Sequence, residues 1–279
     1  MARLGFVYNV ERCNGCFSCF LACKDEFTGN DHLPTAAATC EGVNLKKVNE
    51  IEYGTDNKVK VDYTHSICQQ CGNPPCMNKF PDQISKRKDG IVIIDPMKAK
   101  GMKEIVDSCP YGAIVWNEKA NLPQKCTMCA HMLDAGEKTT RCSECCPNQA
   151  QLFGDLDDPK SEIAIYVKEH APELEQLHPE YGTQPNVYYR NLPKPFICGE
   201  VICGDTGECL KGAKVTCVCD SCGKKSETAT DFLGDFEFRF LPINETFTVT
   251  AEAPGYKAAV YSAKTHGSVN LGEIVLAKV

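Results

Sequence analysis

The sequence predicts an α+β fold in two parts, a cysteine-rich N-terminal domain followed by a small antiparallel β-sandwich. Of the twenty cysteines in the 279 residues, fourteen precede residue 150, and most of these stand at short, regular spacings. The residues after Cys198 instead form short runs that alternate apolar and polar side chains and are separated by turn signals. The first pattern is typical of a metal-binding domain and the second of a sandwich.

The first cysteine motif has the spacing C-x2-C-x2-C-x3-C and consists of Cys13, Cys16, Cys19 and Cys23. This spacing binds an iron–sulfur cubane. Three of the thiolates can converge on one cluster, while the fourth projects toward a neighbouring cluster. The motif therefore predicts a partner motif elsewhere in the chain.

Two later segments retain only part of this spacing. The second motif keeps Cys68, Cys71 and Cys76, but Phe80 stands before a proline at the position of the fourth cysteine. The third motif keeps only its last cysteine, Cys109. Three apolar residues stand at its other ligand positions: Ala99, Met102 and Ile105.

The fourth motif is complete, although twelve residues separate its second and third cysteines; it consists of Cys126, Cys129, Cys142 and Cys146. Cys146 is followed by proline, as is Cys109 in the third motif. The neighbouring Cys145 does not fit the x3 spacing, so we expect Cys146 to be the ligand.

The missing cysteines indicate which motifs are partners. In a two-cluster ferredoxin, the fourth cysteine of each motif completes the cluster of the other motif. If the second and third motifs are partners, four apolar residues replace every ligand of one cluster, and we expect these residues to pack together as core: Phe80, Ala99, Met102 and Ile105. The first and fourth motifs then pair by elimination. The prediction is three [4Fe-4S] clusters with these ligands: Cys13, Cys16, Cys19 and Cys146 for cluster 1; Cys23, Cys126, Cys129 and Cys142 for cluster 2; Cys68, Cys71, Cys76 and Cys109 for cluster 3.

Zinc sites and disulfides are the other interpretations of these cysteines. A single C-x2-C pair also fits zinc, which binds four thiolates. Three consecutive convergent ligands and the repeated Cys-Pro ending favour clusters instead. Structural disulfides are typical of small secreted domains, whereas this chain is long and opens on Met-Ala-Arg-Leu with no signal-peptide pattern.

Composition argues against two classes of partner. The net charge of −7 argues against nucleic acid. No stretch approaches the length of apolar sequence that spans a membrane. Together with the absence of an export signal, this leads us to expect a cytoplasmic protein.

The expected domain boundaries follow the motifs. Residues 1–150 carry all the motifs, with a hairpin inserted at about 40–64, and residues 196–279 form the sandwich. Residues 151–195 are rich in proline and charge and are expected to form an extended arm over the partner or the domain, with one helix near 162–170. Within the first domain we expect a buried strand at 91–94 and a helix at 99–107 that leads to Cys109.

Over about residues 1–195 the chain resembles a known family. Besides the motif order, four segments carry the resemblance: Cys109-Pro-Tyr-Gly-Ala, Lys125-Cys-Thr-Met-Cys, Gly154-Asp-Leu-Asp-Asp-Pro and Gly182-Thr-Gln-Pro-Asn-Val-Tyr-Tyr. They are similar to the iron–sulfur (beta) subunits of molybdopterin oxidoreductases, such as the dimethyl sulfoxide, polysulfide and nitrate reductase assemblies. The resemblance implies a double ferredoxin-like fold bound to a large catalytic subunit that carries a molybdopterin cofactor. Those relatives usually hold four clusters, and this chain departs from them by lacking one.

The C-terminal part resembles transthyretin-like or carboxypeptidase regulatory-like domains, through Gly204-Asp-Thr-Gly, Thr230-Asp-Phe-Leu-Gly-Asp and Leu241-Pro. The resemblance implies a structural or docking role, since a fold alone gives no function. Six cysteines lie here: Cys198, Cys203, Cys209, Cys217, Cys219 and Cys222. Zinc at Cys217-x-Cys-x2-Cys is one interpretation; the other is that Cys217 and Cys219 share a strand face and pack as small hydrophobes.

No catalytic constellation is visible in the sequence. His65 and His131 stand close to motif cysteines and are expected to be hydrogen-bond donors or surface residues rather than ligands. We therefore expect a non-catalytic electron-transfer subunit of a soluble molybdopterin enzyme. The alternative is a free-standing polyferredoxin that uses the sandwich as a docking module.

Overall fold

The computed structural model describes residues 2–32, 35–55 and 57–279. The chain divides into two compact units, the first formed by Met1–Glu50 and Asp62–Leu192 and the second by Ile51–Val61 and Pro193–Val279. This division differs from the expected boundaries, because the segment after residue 150 continues the first unit and the hairpin tip belongs to the second. Among the described residues, no helix has the length and apolar character that crossing a membrane requires.

The elements up to Leu192 are, in chain order, β1 (Leu4–Asn9), α1 (Ser18–Phe27), β2 (Lys46–Thr55), β3 (Lys58–Ile67), α2 (Pro75–Lys79), β4 (Ile84–Lys86), β5 (Val92–Ile94), β6 (Val115–Asn117), β7 (Leu122–Gln124), α3 (Ala130–Asp134), α4 (Arg141–Glu144), β8 (Gln151–Asp155), α5 (Glu162–Glu169), β9 (Leu174–Glu175) and β10 (Val187–Arg190). The buried strand expected at 91–94 corresponds to β5, and the helix expected near 162–170 corresponds to α5. Both of these predictions are confirmed.

The central sheet of the first unit has the strand order β8-β1-β10-β9. Strand β1 pairs antiparallel with β8 and parallel with β10. Phe6, Tyr8, Val187 and Tyr189 on these strands are completely buried and belong to one hydrophobic cluster. The segment expected as an extended arm thus supplies strands on both sides of β1, because its alternating apolar side chains complete the core of this sheet.

The helix expected at 99–107 is shorter than predicted. The chain forms turns as far as Gly101, and only Lys103–Ser108 form a helix, of the 3-10 type. Gly101 has a φ of +79°, a conformation that an α-helix does not contain. The Asp95 carboxylate accepts hydrogen bonds from the backbone N–H groups of Met97 and Lys98. These bonds stabilise the turn that begins at Asp95 and precedes the 3-10 helix.

The second unit contains a sandwich of two sheets. Its strands are β11 (Ile197–Cys203), β12 (Lys214–Cys219), β13 (Lys225–Ala229), β14 (Asp235–Phe238), β15 (Thr246–Glu252), β16 (Ala259–Lys264) and β17 (Val269–Leu276). The sheets have the orders β14-β11-β17 and β13-β12-β15-β16. One expectation is corrected: the sandwich is not wholly antiparallel, because β11 and β17 pair parallel.

The hairpin expected between the first two motifs is formed by β2 and β3. Its described tip residues lie in the second unit and make polar contacts there. Lys60 Nζ lies 2.8 Å from Glu237 Oε1, and the side-chain amide of Asn270 donates to Asn57 Oδ1 at 2.7 Å. Asp56, part of the expected turn, lies outside the described residues.

Candidate iron–sulfur sites

The four cysteines expected to bind cluster 1 line one cavity. Cys13 and Cys16 lie in the loop before α1, Cys19 lies in the first turn of α1, and Cys146 follows α4. His65 lines the same cavity. The structure therefore brings together residues that are up to 133 positions apart in the chain, as the predicted crossed pairing requires (146 − 13 = 133).

The four cysteines expected to bind cluster 3 line a second cavity. Cys68 and Cys71 follow β3, Cys76 lies in α2, and Cys109 follows the 3-10 helix. The two cavities are nearly equal in size, with about 340 Å³ of space free of protein atoms here and about 330 Å³ at the cluster 1 cysteines.

The four cysteines expected to bind cluster 2 also lie close to one another. Burial, and then the nearby thiols of Cys126, Cys142 and Cys129, raises the pKa of Cys23 well above its usual range. Cys23 lies in α1, Cys129 immediately before α3, and Cys142 in α4. Two helices and the loop before α3 therefore carry this set.

A polar network ties α1, α3 and α4 together. Glu26 of α1 accepts hydrogen bonds from Arg141 of α4 and His131 of α3, each at 2.8 Å. Although burial alone would raise the pKa of Glu26, these bonds hold it below its usual value. His32 stacks on His131 with ring centroids 3.9 Å apart. This network positions the helices that carry or adjoin three of the cluster 2 cysteines.

The loops that begin three of the motifs share a backbone feature. The residue two positions after the first cysteine has a positive φ in each: +67° at Gly15, +46° at Gln70 and +52° at Met128. Only glycine adopts this conformation without cost, so the other two must be held in place. The side chain of Gln70 is held by two hydrogen bonds, since it donates to the Cys126 carbonyl and accepts from the Val92 N–H.

The two Cys-Pro endings have the same local geometry. The backbone N–H of Ala113 donates to Cys109 Sγ at 3.4 Å, and that of Ala150 donates to Cys146 Sγ at 3.3 Å. In both cases the donor lies four residues after the cysteine. The Cys145 thiol instead points to the Cys142 carbonyl oxygen at 3.5 Å. This equivalence favours Cys146 over Cys145 as the functional thiol.

Among the described residues, no set of these thiols is as compact as a mononuclear zinc site. Four thiolates about 2.3 Å from one zinc ion would lie about 3.8 Å from one another. Within the described part of the chain, one group of potential metal-binding side chains has all its ligand atoms within 4.8 Å of one another. It consists of Glu26, His32 and His131 and contains no cysteine. The cysteine sets are therefore more open than a mononuclear site, as a larger group would require. At Glu26 the stacked rings and the paired carboxylate are those of a structural network.

Burial shifts the thiols away from the form that binds iron. It raises the pKa of Cys19 and Cys76 to about 11 and that of Cys71 and Cys126 to about 12. Cys16 is exposed, and hydrogen bonds from Ser18 lower its pKa. Because iron binds thiolates, loading the sites releases protons.

Two buried lysines offset this effect. Lys46 and Lys125 are each 2% exposed, and neither pairs with a carboxylate of the described residues. Lys46 donates to the hydroxyl of Tyr8 at 2.9 Å and to Gln151 Oε1 at 3.1 Å, and its charge lowers the pKa of Cys19 against the larger effect of burial. Lys125 donates to two backbone carbonyls. Its charge lowers the pKa of Cys126 in the cluster 2 set and of Cys76 in the cluster 3 set, against the larger effect of burial.

The interactions between thiols also give the order of the three sets. Cys19 of the cluster 1 set interacts with Cys142 of the cluster 2 set. Cys126 of the cluster 2 set interacts in turn with Cys68 of the cluster 3 set. The cluster 2 set therefore lies between the other two.

The four apolar residues at the ligand positions of the missing cluster pack together. Ala99 and Ile105 are completely buried, and Phe80 and Met102 pack against the same hydrophobic cluster. The prediction that these residues form core is confirmed. Cys76 belongs to the same cluster, so this core adjoins the cluster 3 set.

The remaining cysteines do not join these sets. Cys217 and Cys219 are buried in the sandwich core on one face of β12, so the prediction that they pack as small hydrophobes is confirmed. Cys198 and Cys203 are also buried, and the exposed ones are Cys40, Cys209 and Cys222.

The sequence patterns do not identify Lys46 and Lys125 as residues near the sites, and they associate His65 with Cys68 rather than with the cluster 1 cysteines. In the sequence, Lys125 is noted only as part of a motif and is given no role. Its position directly before a ligand cysteine is the signal that could have identified it. Lys46 and His65 lie on the two strands of the hairpin and are not adjacent to cluster 1 cysteines in sequence. Only the hairpin's placement beside β1 brings them to this site.

Comparison with known proteins agrees with this picture. Residues 59–156 match the 4Fe-4S dicluster domain, and residues 197–276 match the carboxypeptidase regulatory-like domain. The expected iron–sulfur cluster-binding domain and the expected carboxypeptidase regulatory-like β-domain are therefore both confirmed.

Three curated relatives are similar to the chain. The pyrogallol hydroxytransferase small subunit of Pelobacter acidigallici is 38% identical over 99% of this chain and 100% of its own length. A tetrathionate reductase subunit of Salmonella typhimurium is 33% identical over 70% of this chain and 75% of its own length. The arsenate respiratory reductase iron-sulfur subunit of Shewanella sp. is 30% identical over 67% of this chain and 95% of its own length.

Proposed function

This chain belongs to the family of iron–sulfur (beta) subunits of molybdopterin oxidoreductases, and we propose that it is the small subunit of a pyrogallol–phloroglucinol transhydroxylase. Its role is electron transfer. In the proposed enzyme, a hydroxyl group moves between polyhydroxybenzenes, and this chemistry takes place in the large subunit.

The extent of the similarity carries this assignment. The pyrogallol hydroxytransferase small subunit matches 99% of the chain and thus includes the sandwich, whereas the tetrathionate reductase subunit matches 70%. The missing cluster fits this choice, and it fits a shortened relay in an ordinary reductase equally. Transhydroxylation involves no net electron flow, so a long relay to a membrane partner is dispensable.

We propose that the chain holds three [4Fe-4S] clusters in a double ferredoxin-like fold, with the twelve cysteines assigned above. When bound, such clusters supply one-electron redox centres. The backbone N–H groups after Cys109 and Cys146 donate to their sulfur atoms, and Lys46 and Lys125 place positive charge beside the thiolates. The order of the sets supports a relay in which cluster 2 is central.

The proposed partner is a large subunit that carries the molybdopterin cofactor. The relatives named above are by name subunits, which supports a partner chain. The sandwich is proposed to take part in docking to that partner, while the clusters bind in the first unit.

The proposed compartment is the cytoplasm. Three cysteines outside the cluster sets, Cys40, Cys209 and Cys222, are exposed, and exposed thiols persist in a reducing compartment. Fractionation of the native cells, with blotting for this chain, tests the proposal; its recovery outside the cytoplasm would contradict it.

The test of function is to produce the chain with its catalytic subunit and purify the complex. We expect about twelve iron atoms per small subunit, molybdenum or tungsten in the partner, and conversion of pyrogallol to phloroglucinol measured by chromatography. A full complement of metal without this conversion would contradict the transhydroxylase assignment.

The second candidate function is that of an ordinary reductase subunit, favoured by the similarity of the first unit to tetrathionate and arsenate reductase subunits. The same complex should then reduce an inorganic oxyanion with a viologen dye as electron donor. Recovery of the small subunit alone, fully loaded and without a partner, would instead support a free-standing polyferredoxin.

A further inference from the structure

His65 is a buried polar side chain whose ring has no partner. It is 4% exposed, and neither Nδ1 nor Nε2 has a hydrogen-bond partner among the described residues. Buried polar groups without partners are rare in native proteins, so each needs an explanation. The ring is a candidate for contact with a group that the protein binds.

The position of the ring identifies that group. Although His65 precedes Cys68 in sequence, it does not line the cluster 3 cavity, which Cys68 lines. It lines the cluster 1 cavity together with all four cysteines of that set.

Aromatic neighbours hold the ring in this orientation. It stacks on Tyr8, with ring centroids 4.4 Å apart and planes at 15°. The hydroxyl of Tyr189 donates to the His65 carbonyl oxygen at 3.0 Å, which fixes the backbone at the same point. Both tyrosines are completely buried in the core of the first unit. A ring held in this way is preorganised for one contact.

The ring can donate a hydrogen bond in either protonation state. A neutral imidazole carries one N–H and a protonated imidazole carries two. Burial, and then the charge of Lys46, lowers the pKa of His65. A ring N–H is therefore present at any pH on a side chain that lines the cavity of the cluster 1 cysteines.

We propose that a ring N–H of His65 donates a hydrogen bond to a sulfur atom of cluster 1 and thereby raises the reduction potential of that cluster alone. The proposal rests on the cluster assignment above. Hydrogen bonds to sulfur are one of the factors that set cluster potentials. Such a bond stabilises the reduced cluster more than the oxidised one, because reduction adds negative charge to the sulfur atoms.

The test is an electron paramagnetic resonance redox titration of the full complex. Three variants are compared with the wild type: His65→Phe, which removes the donor but keeps an aromatic ring; His65→Gln, which keeps a donor; and Val48→Ala, a control that alters the same cavity without a polar change. The Cys146→Ser variant identifies which signal belongs to cluster 1.

We expect the cluster 1 potential to shift downward in His65→Phe, to shift less in His65→Gln and to stay near the wild-type value in Val48→Ala. Iron content and the other two potentials should not change. An unchanged cluster 1 potential in a fully loaded His65→Phe protein would overturn the inference, as would an equal shift of all three clusters.

Loss of cluster 1 from both His65 variants would also overturn the inference, because His65 would then be needed to hold the cluster. Labelling the wild-type chain with ¹⁵N-histidine gives an independent measurement. The cluster 1 signal should show coupling to a histidine nitrogen that His65→Gln removes, and its absence would count against the bond. Failure of the proposals above is distinct: without the three clusters the wild-type complex would not contain about twelve irons, and without the transhydroxylase function it would contain them but not convert pyrogallol.

Discussion

Replacing Cys146 and Cys145 separately by serine tests the assignment at the point where two adjacent cysteines compete. The structure distinguishes their thiols. Cys146 Sγ lines the cluster 1 cavity and accepts the Ala150 N–H at 3.3 Å, as Cys109 Sγ accepts the Ala113 N–H at 3.4 Å. The Cys145 thiol is directed to a backbone carbonyl instead.

The size of the expected effect follows from this difference. Cys146→Ser removes one of four thiolates, so iron should fall from about twelve per chain to about eight if cluster 1 is lost, or to about eleven if only one iron atom leaves. It also weakens a hydrogen bond to a charged acceptor, worth about 1.5–3 kcal/mol. Cys145→Ser removes no ligand, and about twelve irons should remain.

The assay combines iron and sulfide analysis with electron paramagnetic resonance of the reduced complex. Cys146→Ser should change the cluster 1 signal only. Cys109→Ser, the matched variant at the equivalent ending, should change the cluster 3 signal only. If Cys145→Ser loses iron while Cys146→Ser does not, the fourth motif has been aligned one residue out of register and the reasoning from the Cys-Pro equivalence is wrong.

Three further predictions follow from the packing and charges. Ile105→Ala should destabilise the first unit by about 2–5 kcal/mol and Ile105→Val by about 0.5–1.5, seen as a lower urea midpoint for loss of cluster absorbance; equal midpoints would contradict the core assignment. Lys46→Met should lower the potentials of clusters 1 and 2 in a redox titration, because it removes a buried positive charge, and unchanged potentials would exclude that role. Deleting residues 198–279 should leave about twelve irons but weaken binding to the large subunit in pull-down experiments, whereas loss of iron would mean that a sandwich cysteine is a ligand.

That the cysteines of the first and third sets each line one cavity could be predicted, because ligand spacing of this kind is local in sequence. The loops at Gly15, Gln70 and Met128 share a positive φ two positions after the first cysteine of each motif. The hairpin, the buried strand β5 and the helix α5 were visible for a similar reason, since each shows its period within a few residues.

The features of the fold and of the sites that the sequence did not predict depend on contacts between residues that are distant in sequence. The parallel pairing of β1 with β10 joins residues about 180 positions apart, and nothing near Val187 marks it as a partner of Phe6. His65 and Lys46 reach the cluster 1 cavity only because the hairpin packs beside Tyr8. The helix expected at 99–107 was wrong in its first half because Gly101 adopts a positive φ, which apolar periodicity does not report.

The crossed ligand sets give the first unit a particular dependence on its metal. In the proposed assignment Cys23 meets residues 126–142 and Cys146 meets the first motif, so cluster 2 is complete only after Cys142 has been synthesised and cluster 1 only after Cys146. The last cysteine of the cluster 3 set is Cys109, so this set is complete earlier in the chain. It adjoins an apolar core that packs without metal. Where ligands are distant in sequence, the free energy of metal binding contributes directly to folding. We therefore expect the part of the first unit that holds clusters 1 and 2 to depend on iron for its fold more than the part that holds cluster 3. The apolar residues at one set of ligand positions agree with this difference. They lie in the half where side chains such as Ile105 and Phe80 form a core by packing, whereas the proposed clusters 1 and 2 would join the two ends of the ligand-bearing chain.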